Sequence, residues 1–96
     1  MRMAQARILI VDDEPIKRVV LEDELGAAGY SVVTAANPMD AARELAKSTF
    51  EVVVTDLRMP GQDGLSFLRE VKRQNPAQAA IVMTAYGSVE TAVEAM

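Results

Sequence analysis

An apolar, β-branched run that ends in a single carboxylate is the most constraining feature of this chain: it spans Val52–Asp56 and is followed by the turn-like residues 57–61 (LRMPG). Aspartate is depleted in β-strands, so strand propensity does not account for an acid at this position. The run Ile8–Val11 shows the same pattern and is followed by Asp12–Glu14, a row of three acids. Two neighbouring buried strands of this kind would bring several negative charges together, which is unfavourable unless a cation lies among them. The sequence therefore predicts a metal site in which one carboxylate carries the chemistry.

Composition narrows the chemistry further. The 96 residues include no histidine and no cysteine, which excludes the commonest general base, thiolate ligands and disulfides. The formal net charge of −4 argues against nucleic-acid binding by this segment, because phosphate contacts need clustered lysine and arginine. No apolar run approaches the ~20 residues of a membrane span, and the polar start does not resemble a signal peptide. We expect one cytoplasmic domain over residues 1–96, without a membrane contact, whose oxygen-only ligands favour Mg²⁺ or Mn²⁺.

Strand and helix signals alternate along the chain and predict the order βαβαβαβα. Strands are predicted over 7–12, 31–35, 51–56 and from Ala79 or Ala80 to Thr84, and helices from Pro15, after Asn37, near Asp63-Gly64 and from Ser88. Continuous apolar strands between amphipathic helices indicate an α/β fold with a doubly wound parallel sheet. Sites in such sheets lie beyond the carboxyl ends of the strands, so Asp12, Asp56 and Thr84 are expected at one edge.

Simpler explanations exist for each of these residues. Asp12–Glu14 could cap the first helix and complement its dipole, although three acids exceed what a cap requires. Asp56 could be a turn residue, and Thr84 could be an ordinary β-branched strand residue. Asp63 fits a helix cap better than a metal ligand.

The ordered set of Asp12-Asp13, residues 56–64 (DLRMPGQDG) and residues 83–85 (MTA) resembles the receiver domain of bacterial two-component response regulators. The resemblance extends from Ile8 over essentially the whole chain. Residues 84–96 are similar to receivers of the nitrogen-regulation type, which precede an ATPase module and a DNA-binding module in enhancer-binding transcription activators. The resemblance implies a flavodoxin-like receiver fold with strand order 2-1-3-4, and a signalling domain rather than an enzyme.

The resemblance also implies roles for individual residues. Asp56 would accept a phosphoryl group from the phosphohistidine of a sensor histidine kinase, and Thr84 would hydrogen-bond that group and act as a switch. Asp12, Asp13, Asp56 and the backbone carbonyl of Arg58 would hold the magnesium ion.

The family pattern continues with a fifth strand, which ends in a lysine that pairs with the phosphoryl oxygens, and with a fifth helix. This sequence ends at Met96, so we interpret it as a C-terminally truncated receiver: an artificial boundary, a fragment of a longer gene product or a chain completed by a partner. The fourth strand would then be an exposed edge, and an apolar face beside the first helix would be uncovered. Both features favour self-association, for example as a homodimer.

Two alternatives to a phosphoacceptor remain. Without the lysine, the chain could be a phosphorylation-independent pseudo-receiver or fragment that acts as a protein-interaction module. A Mg²⁺-dependent phosphohydrolase of the haloacid-dehalogenase type is disfavoured, because that family uses an Asp-x-Asp pair and a cap domain whereas Asp12 and Asp13 are adjacent.

Overall fold

Four parallel strands form the sheet of this computed structural model, which describes residues 6–59 and 62–83. In chain order the elements are β1 (Arg7–Val11), α1 (Pro15–Ala27), β2 (Ser31–Ala35), α2 (Pro38–Lys47), β3 (Val52–Asp56), β4 (Arg58–Met59), β5 (Gln62–Asp63), α3 (Gly64–Gln74) and β6 (Ala79–Met83). The strand order is β2-β1-β3-β6. β6 corresponds to the fourth strand predicted from the sequence, so this order is the predicted order 2-1-3-4. The predicted fold class is confirmed.

Small differences separate the predicted elements from the observed ones. β1 ends at Val11, before the acids, and β3 begins at Val52. The segment after Asp56, expected to be a simple turn, contains the short antiparallel pair β4–β5. The predicted fourth helix from Ser88 lies outside the described residues.

Alternation along the strands divides the core into two layers, because successive side chains of a strand point to opposite faces of the sheet. On one face, Ile8, Ile10 and Val54 pack with Leu21 and Leu25 of α1. The other face packs against α2 and α3, and its buried members are Leu9, Val11, Ala35, Ala41, Phe50, Val53, Leu68, Ala80 and Val82. This two-sided burial explains why the strands read as nearly continuous apolar runs.

Polar side chains fix where two of the helices begin. Asn37 accepts a hydrogen bond from the backbone N–H of Asp40 (2.8 Å) at the start of α2. Asp63 accepts one from the backbone N–H of Leu65 (2.9 Å) at the start of α3. These bonds satisfy N–H groups that the helix itself leaves unpaired. Asp63 is thus the N-cap of α3. This agrees with the sequence, which favoured a helix cap over a metal ligand for Asp63.

The outward side of α1 is unusually apolar. Ile16 is 77% exposed, Val19 64% and Val20 46%, whereas Leu25, in the same helical pattern, packs on the sheet. We call Ile16, Val19 and Val20 the α1 apolar patch. Ile81 of β6 is also exposed, and within the described residues β6 is an edge of the sheet. No helix among the described residues is both long enough and apolar enough to span a membrane.

Candidate metal centre

Three carboxylates meet at the carboxyl edge of the sheet. Val11 pairs with Thr55 in adjacent parallel strands, so Asp12, the next residue after β1, lies beside Asp56, the last residue of β3. Asp12, Asp13 and Asp56 each offer an oxygen atom, and these three atoms lie within 4.8 Å of one another. Asp12 and Asp56 are buried, and Asp13 is partly exposed. The structure therefore brings together the three acidic side chains that the sequence predicted as ligands.

The hydrogen bonds of Asp12 orient its carboxylate. Its Oδ1 accepts a bond from the backbone N–H of Glu14 (2.9 Å), and its own N–H donates to the carbonyl of Ala35 (3.1 Å). The Nη1 of Arg18 donates to the Asp12 carbonyl oxygen (2.7 Å). Its other carboxylate oxygen, Oδ2, is buried and accepts no hydrogen bond from any described residue. Among the described residues, the cation that pairs with Oδ2 is the Lys17 ammonium, whose Nζ lies 4.0 Å away.

Burial raises the pKa of Asp12 above its ordinary value, because desolvation penalises the charged form. The negative charge of Asp56 raises the pKa further. The Glu14 N–H and the Lys17 ammonium act in the opposite direction without reversing the shift. The environment of this carboxylate therefore disfavours its charged form in the metal-free chain.

A hard divalent cation fits this donor set. Two carboxylates ~4 Å apart repel by ~4 kcal/mol at an effective dielectric constant near 20, and a cation among them replaces that repulsion with attraction. The donors are all oxygen, which is the preference of Mg²⁺. The buried Oδ2 of Asp12 supplies an acceptor that the described residues leave unsatisfied. Asp12, Asp13 and Asp56 are thus suited to hold Mg²⁺.

Two further predicted site residues need separate mention. Arg58 opens β4 two residues after Asp56. Met83 pairs with Asp56 across the β3–β6 ladder, and Thr84, the next residue in the chain, lies outside the described residues.

Backbone contacts hold the segment that follows Asp56. The N–H of Leu57 donates to the carbonyl of Met83 (2.8 Å), and the N–H of Gly64 donates to the carbonyl of Leu57 (3.0 Å). The α3 backbone approaches β3 so closely at Gly64 that a Cβ atom there would lie 2.0 Å from the Asp56 carbonyl oxygen. Gly64 therefore helps to set the position of Asp56, a role that the sequence analysis did not assign.

Comparisons with known proteins agree with this geometry. A family model described as the response regulator receiver domain matches residues 8–96. The transcriptional regulatory protein ZraR of Escherichia coli K12 is 42% identical over 89 residues, which are 93% of this chain and 20% of ZraR. The DNA-binding transcriptional regulator NtrC of the same organism is 38% identical over 93 residues, which are 97% of this chain and 20% of NtrC. The chain thus spans about a fifth of the length of these relatives.

The fold matches solved structures as well. The response regulator protein TrrA of Thermotoga maritima, in complex with Mg²⁺ and BeF, superimposes with a TM-score of 0.83 at 31% identity, over 95% of this chain and 81% of TrrA. TrrA in complex with the histidine kinase ThkA gives a TM-score of 0.84 at 33% identity, over 95% of this chain and 80% of the matched chain.

Proposed function

The chain belongs to the response regulator receiver domain family, as the resemblance in its sequence predicted, and on that premise we propose that it is a phosphoacceptor. In this proposal Asp56 takes a phosphoryl group from the phosphohistidine of a sensor histidine kinase. The observation that carries the proposal is the cluster of Asp12, Asp13 and Asp56 at one sheet edge.

The proposed step is a displacement at phosphorus. A carboxylate oxygen of Asp56 attacks, a P–O bond forms, the P–N bond to the kinase histidine breaks, and the released imidazole nitrogen takes up a proton. The chain itself is modified once in this step and turns over no substrate, so we propose no enzymatic activity on an external compound. Asp56 is buried at the end of β3, which pairs with a strand on each side, and this placement orients the attacking oxygen toward the incoming group.

Asp12, Asp13, Asp56 and the backbone carbonyl of Arg58 are the proposed magnesium ligands. Bound Mg²⁺ would neutralise the repulsion between the anionic nucleophile and the anionic phosphoryl group. Thr84 follows the strand that pairs with Asp56, so its hydroxyl is proposed to hydrogen-bond the phosphoryl group and to transmit its presence.

Partner and output are part of the proposal. TrrA, a structural relative, forms a complex with a histidine kinase, which supports a kinase as the phosphodonor of this chain. ZraR and NtrC are transcriptional regulators, which supports a cytoplasmic role in regulating transcription. This segment is acidic overall, so we propose that it does not itself contact nucleic acid.

A second candidate function, protein interaction without phosphorylation, is favoured by two features of the surface. The α1 apolar patch exposes three branched side chains on one helix, and β6 offers a strand edge within the described residues. Exposed apolar surface and unpaired strand edges both promote association. We propose homodimerisation as the simplest such interaction.

Residue mapping tests the proposed acceptor. The chain is treated with acetyl phosphate and MgCl₂, the acyl phosphate is reduced with borohydride, and the modified residue is located by peptide mass spectrometry. The proposal expects modification at Asp56 and its loss in Asp56→Asn, with Asp63→Asn as a matched control. Modification at another acid, or wild-type labelling of Asp56→Asn, would show that Asp56 is not the acceptor.

A further inference from the structure

Lys17 lies where a positive charge is unfavourable unless it interacts with the cluster of Asp12, Asp13 and Asp56. It is the third residue of α1, which begins at Pro15, and the first turn of this helix contains no acid. The positive end of a helix dipole disfavours a nearby lysine. A lysine placed against the helix dipole in this way is expected to have an interaction that compensates for the unfavourable position.

The compensating interaction is with the buried acid of the metal centre. The Nζ of Lys17 lies 4.0 Å from the Oδ2 of Asp12, and the lysine side chain is 41% exposed while that of Asp12 is fully buried. This is the oxygen that accepts no hydrogen bond from the described residues. Arg18, the neighbouring cation, donates through Nη1 to the Asp12 backbone carbonyl (2.7 Å). The contact of Lys17 is thus with the Asp12 oxygen that the described residues leave free to bind a cation.

From this geometry we infer that Lys17 is a tethered counter-ion of the metal centre, which partly neutralises Asp12 in the metal-free chain and is displaced by Mg²⁺. The inference rests on the proposed function, because it requires that the three carboxylates bind the metal. A half-exposed lysine on four flexible bonds can leave the cluster at little cost, unlike a buried one. The ammonium and the divalent cation cannot both occupy the space beside Oδ2, so they compete.

Competition has two linked consequences. Removing the ammonium strengthens Mg²⁺ binding, because the metal no longer displaces a cation or meets its repulsion. It also lowers the stability of the metal-free chain, because the Asp12 carboxylate loses the ammonium that pairs with it. Ion pairs with one exposed partner contribute little, so the expected change in affinity is roughly threefold to tenfold.

The test compares Mg²⁺ affinities of the whole chain, measured from backbone amide shifts of Asp13 and Glu14 in an NMR titration. Lys17→Met keeps the length and apolar stem of the side chain without its charge, and Lys17→Arg keeps the charge. Lys47→Met is the matched control, since Lys47 is an exposed lysine on α2 that pairs with Glu44 at 3.5 Å. Urea unfolding in EDTA and in saturating MgCl₂ supplies an independent readout.

We expect tighter Mg²⁺ binding only in Lys17→Met, near wild-type affinity in Lys17→Arg, and a shift of the Lys17 ε-methylene signals when Mg²⁺ is added to the wild type. By linkage, Mg²⁺ should stabilise Lys17→Met more than the wild type. Equal or weaker Mg²⁺ binding by Lys17→Met would overturn the inference and leave the metal site standing. If neither protein binds Mg²⁺, or if Asp13→Asn binds it as well as the wild type, the proposed metal site fails and the inference fails with it.

Discussion

Gly64 and Asp56 lie in direct backbone contact: a Cβ atom at Gly64 would fall 2.0 Å from the Asp56 carbonyl oxygen and 3.0 Å from its carbonyl carbon. The first residue of α3 therefore packs on the last residue of β3. Cβ atoms in folded proteins do not approach backbone atoms so closely. A side chain at Gly64 would therefore force β3 or α3 to shift. The position of the acceptor carboxylate thus depends on a residue that has no side chain.

Gly64→Ala should destabilise the chain, because the added methyl group overlaps backbone that cannot rotate away. Overpacking of this kind costs about 1–3 kcal/mol. Gly26→Ala is the matched control: Gly26 lies in α1, and nothing lies within 4 Å of the position its Cβ would take. That change should stabilise the chain by about 0.5–1 kcal/mol. Urea unfolding of both variants checks the prediction, and a neutral Gly64→Ala would contradict the close packing.

Asp12→Asn should stabilise the metal-free chain near neutral pH. The folded-state pKa of Asp12 is raised, chiefly by burial, so the folded chain binds this proton more tightly than the unfolded chain does. The contribution of Asp12 to stability is therefore fully present below the unfolded pKa near 3.8 and is lost as pH rises through the raised pKa. The asparagine side chain in Asp12→Asn carries no charge at any of these pH values, so this variant does not lose stability as pH rises.

Urea unfolding in EDTA at a series of pH values measures the difference between the two proteins. The advantage of Asp12→Asn should grow from about pH 4 upwards and level off once pH exceeds the raised pKa of Asp12. Stabilisation by MgCl₂ should shrink in this variant, since a ligand is lost. Asp23→Asn, at an exposed position on the same helix, is the control. A difference that falls with rising pH would show that Asp12 is not penalised by burial.

Asp63→Ala should weaken folding without weakening magnesium binding. Its carboxylate accepts the N–H of Leu65 at the start of α3, and loss of such a cap typically costs about 1 kcal/mol. It is outside the cluster of Asp12, Asp13 and Asp56, so the Mg²⁺ affinity from the NMR titration should match the wild type. A large loss of Mg²⁺ affinity in a folded Asp63→Ala chain would mean that the ligand set is wrong.

Self-association should depend on protein concentration and on the α1 apolar patch. Sedimentation velocity at several concentrations should show a reversible increase in mass for the wild type. Val19→Lys should reduce it, because Val19 is largely exposed and contributes little to the core. Ile81→Lys probes the β6 edge in the same way, with hydrogen exchange at Ile81–Met83 as a second measurement. If the wild type is a monomer at all concentrations, neither the α1 apolar patch nor the β6 edge mediates self-association.

The sheet and its acidic edge could be predicted from sequence because their signals are local. Continuous apolar strands indicate the two-sided sheet. Parallel pairing then brings Asp12, the residue after β1, and Asp56, the last residue of β3, to the same edge. The strand order came instead from the family resemblance. No single window of sequence specifies which strands are neighbours.

Other features depend on tertiary contacts that the sequence does not display. Ile16, Val19 and Leu25 are apolar residues at helical spacing in α1, yet only Leu25 of these packs on the sheet. Lys17 gives a weak signal, a cation in the first turn of a helix, but its contact with Asp12 depends on how α1 lies against β1. Gly64 could be seen as a helix-start residue, whereas its contact with Asp56 depends on how α3 packs against β3.

Phosphoryl uptake with and without magnesium tests the central claim most directly. The chain is incubated with acetyl phosphate in MgCl₂ or in EDTA, and intact-protein mass spectrometry counts the phosphoryl groups added to the wild type, Asp13→Asn and Asp56→Asn. We predict one added group in the wild type with MgCl₂, little or none in EDTA or in Asp13→Asn, and none in Asp56→Asn. Equal uptake in EDTA and MgCl₂, or uptake by Asp56→Asn at the wild-type level, would contradict a magnesium-dependent phosphoacceptor at Asp56.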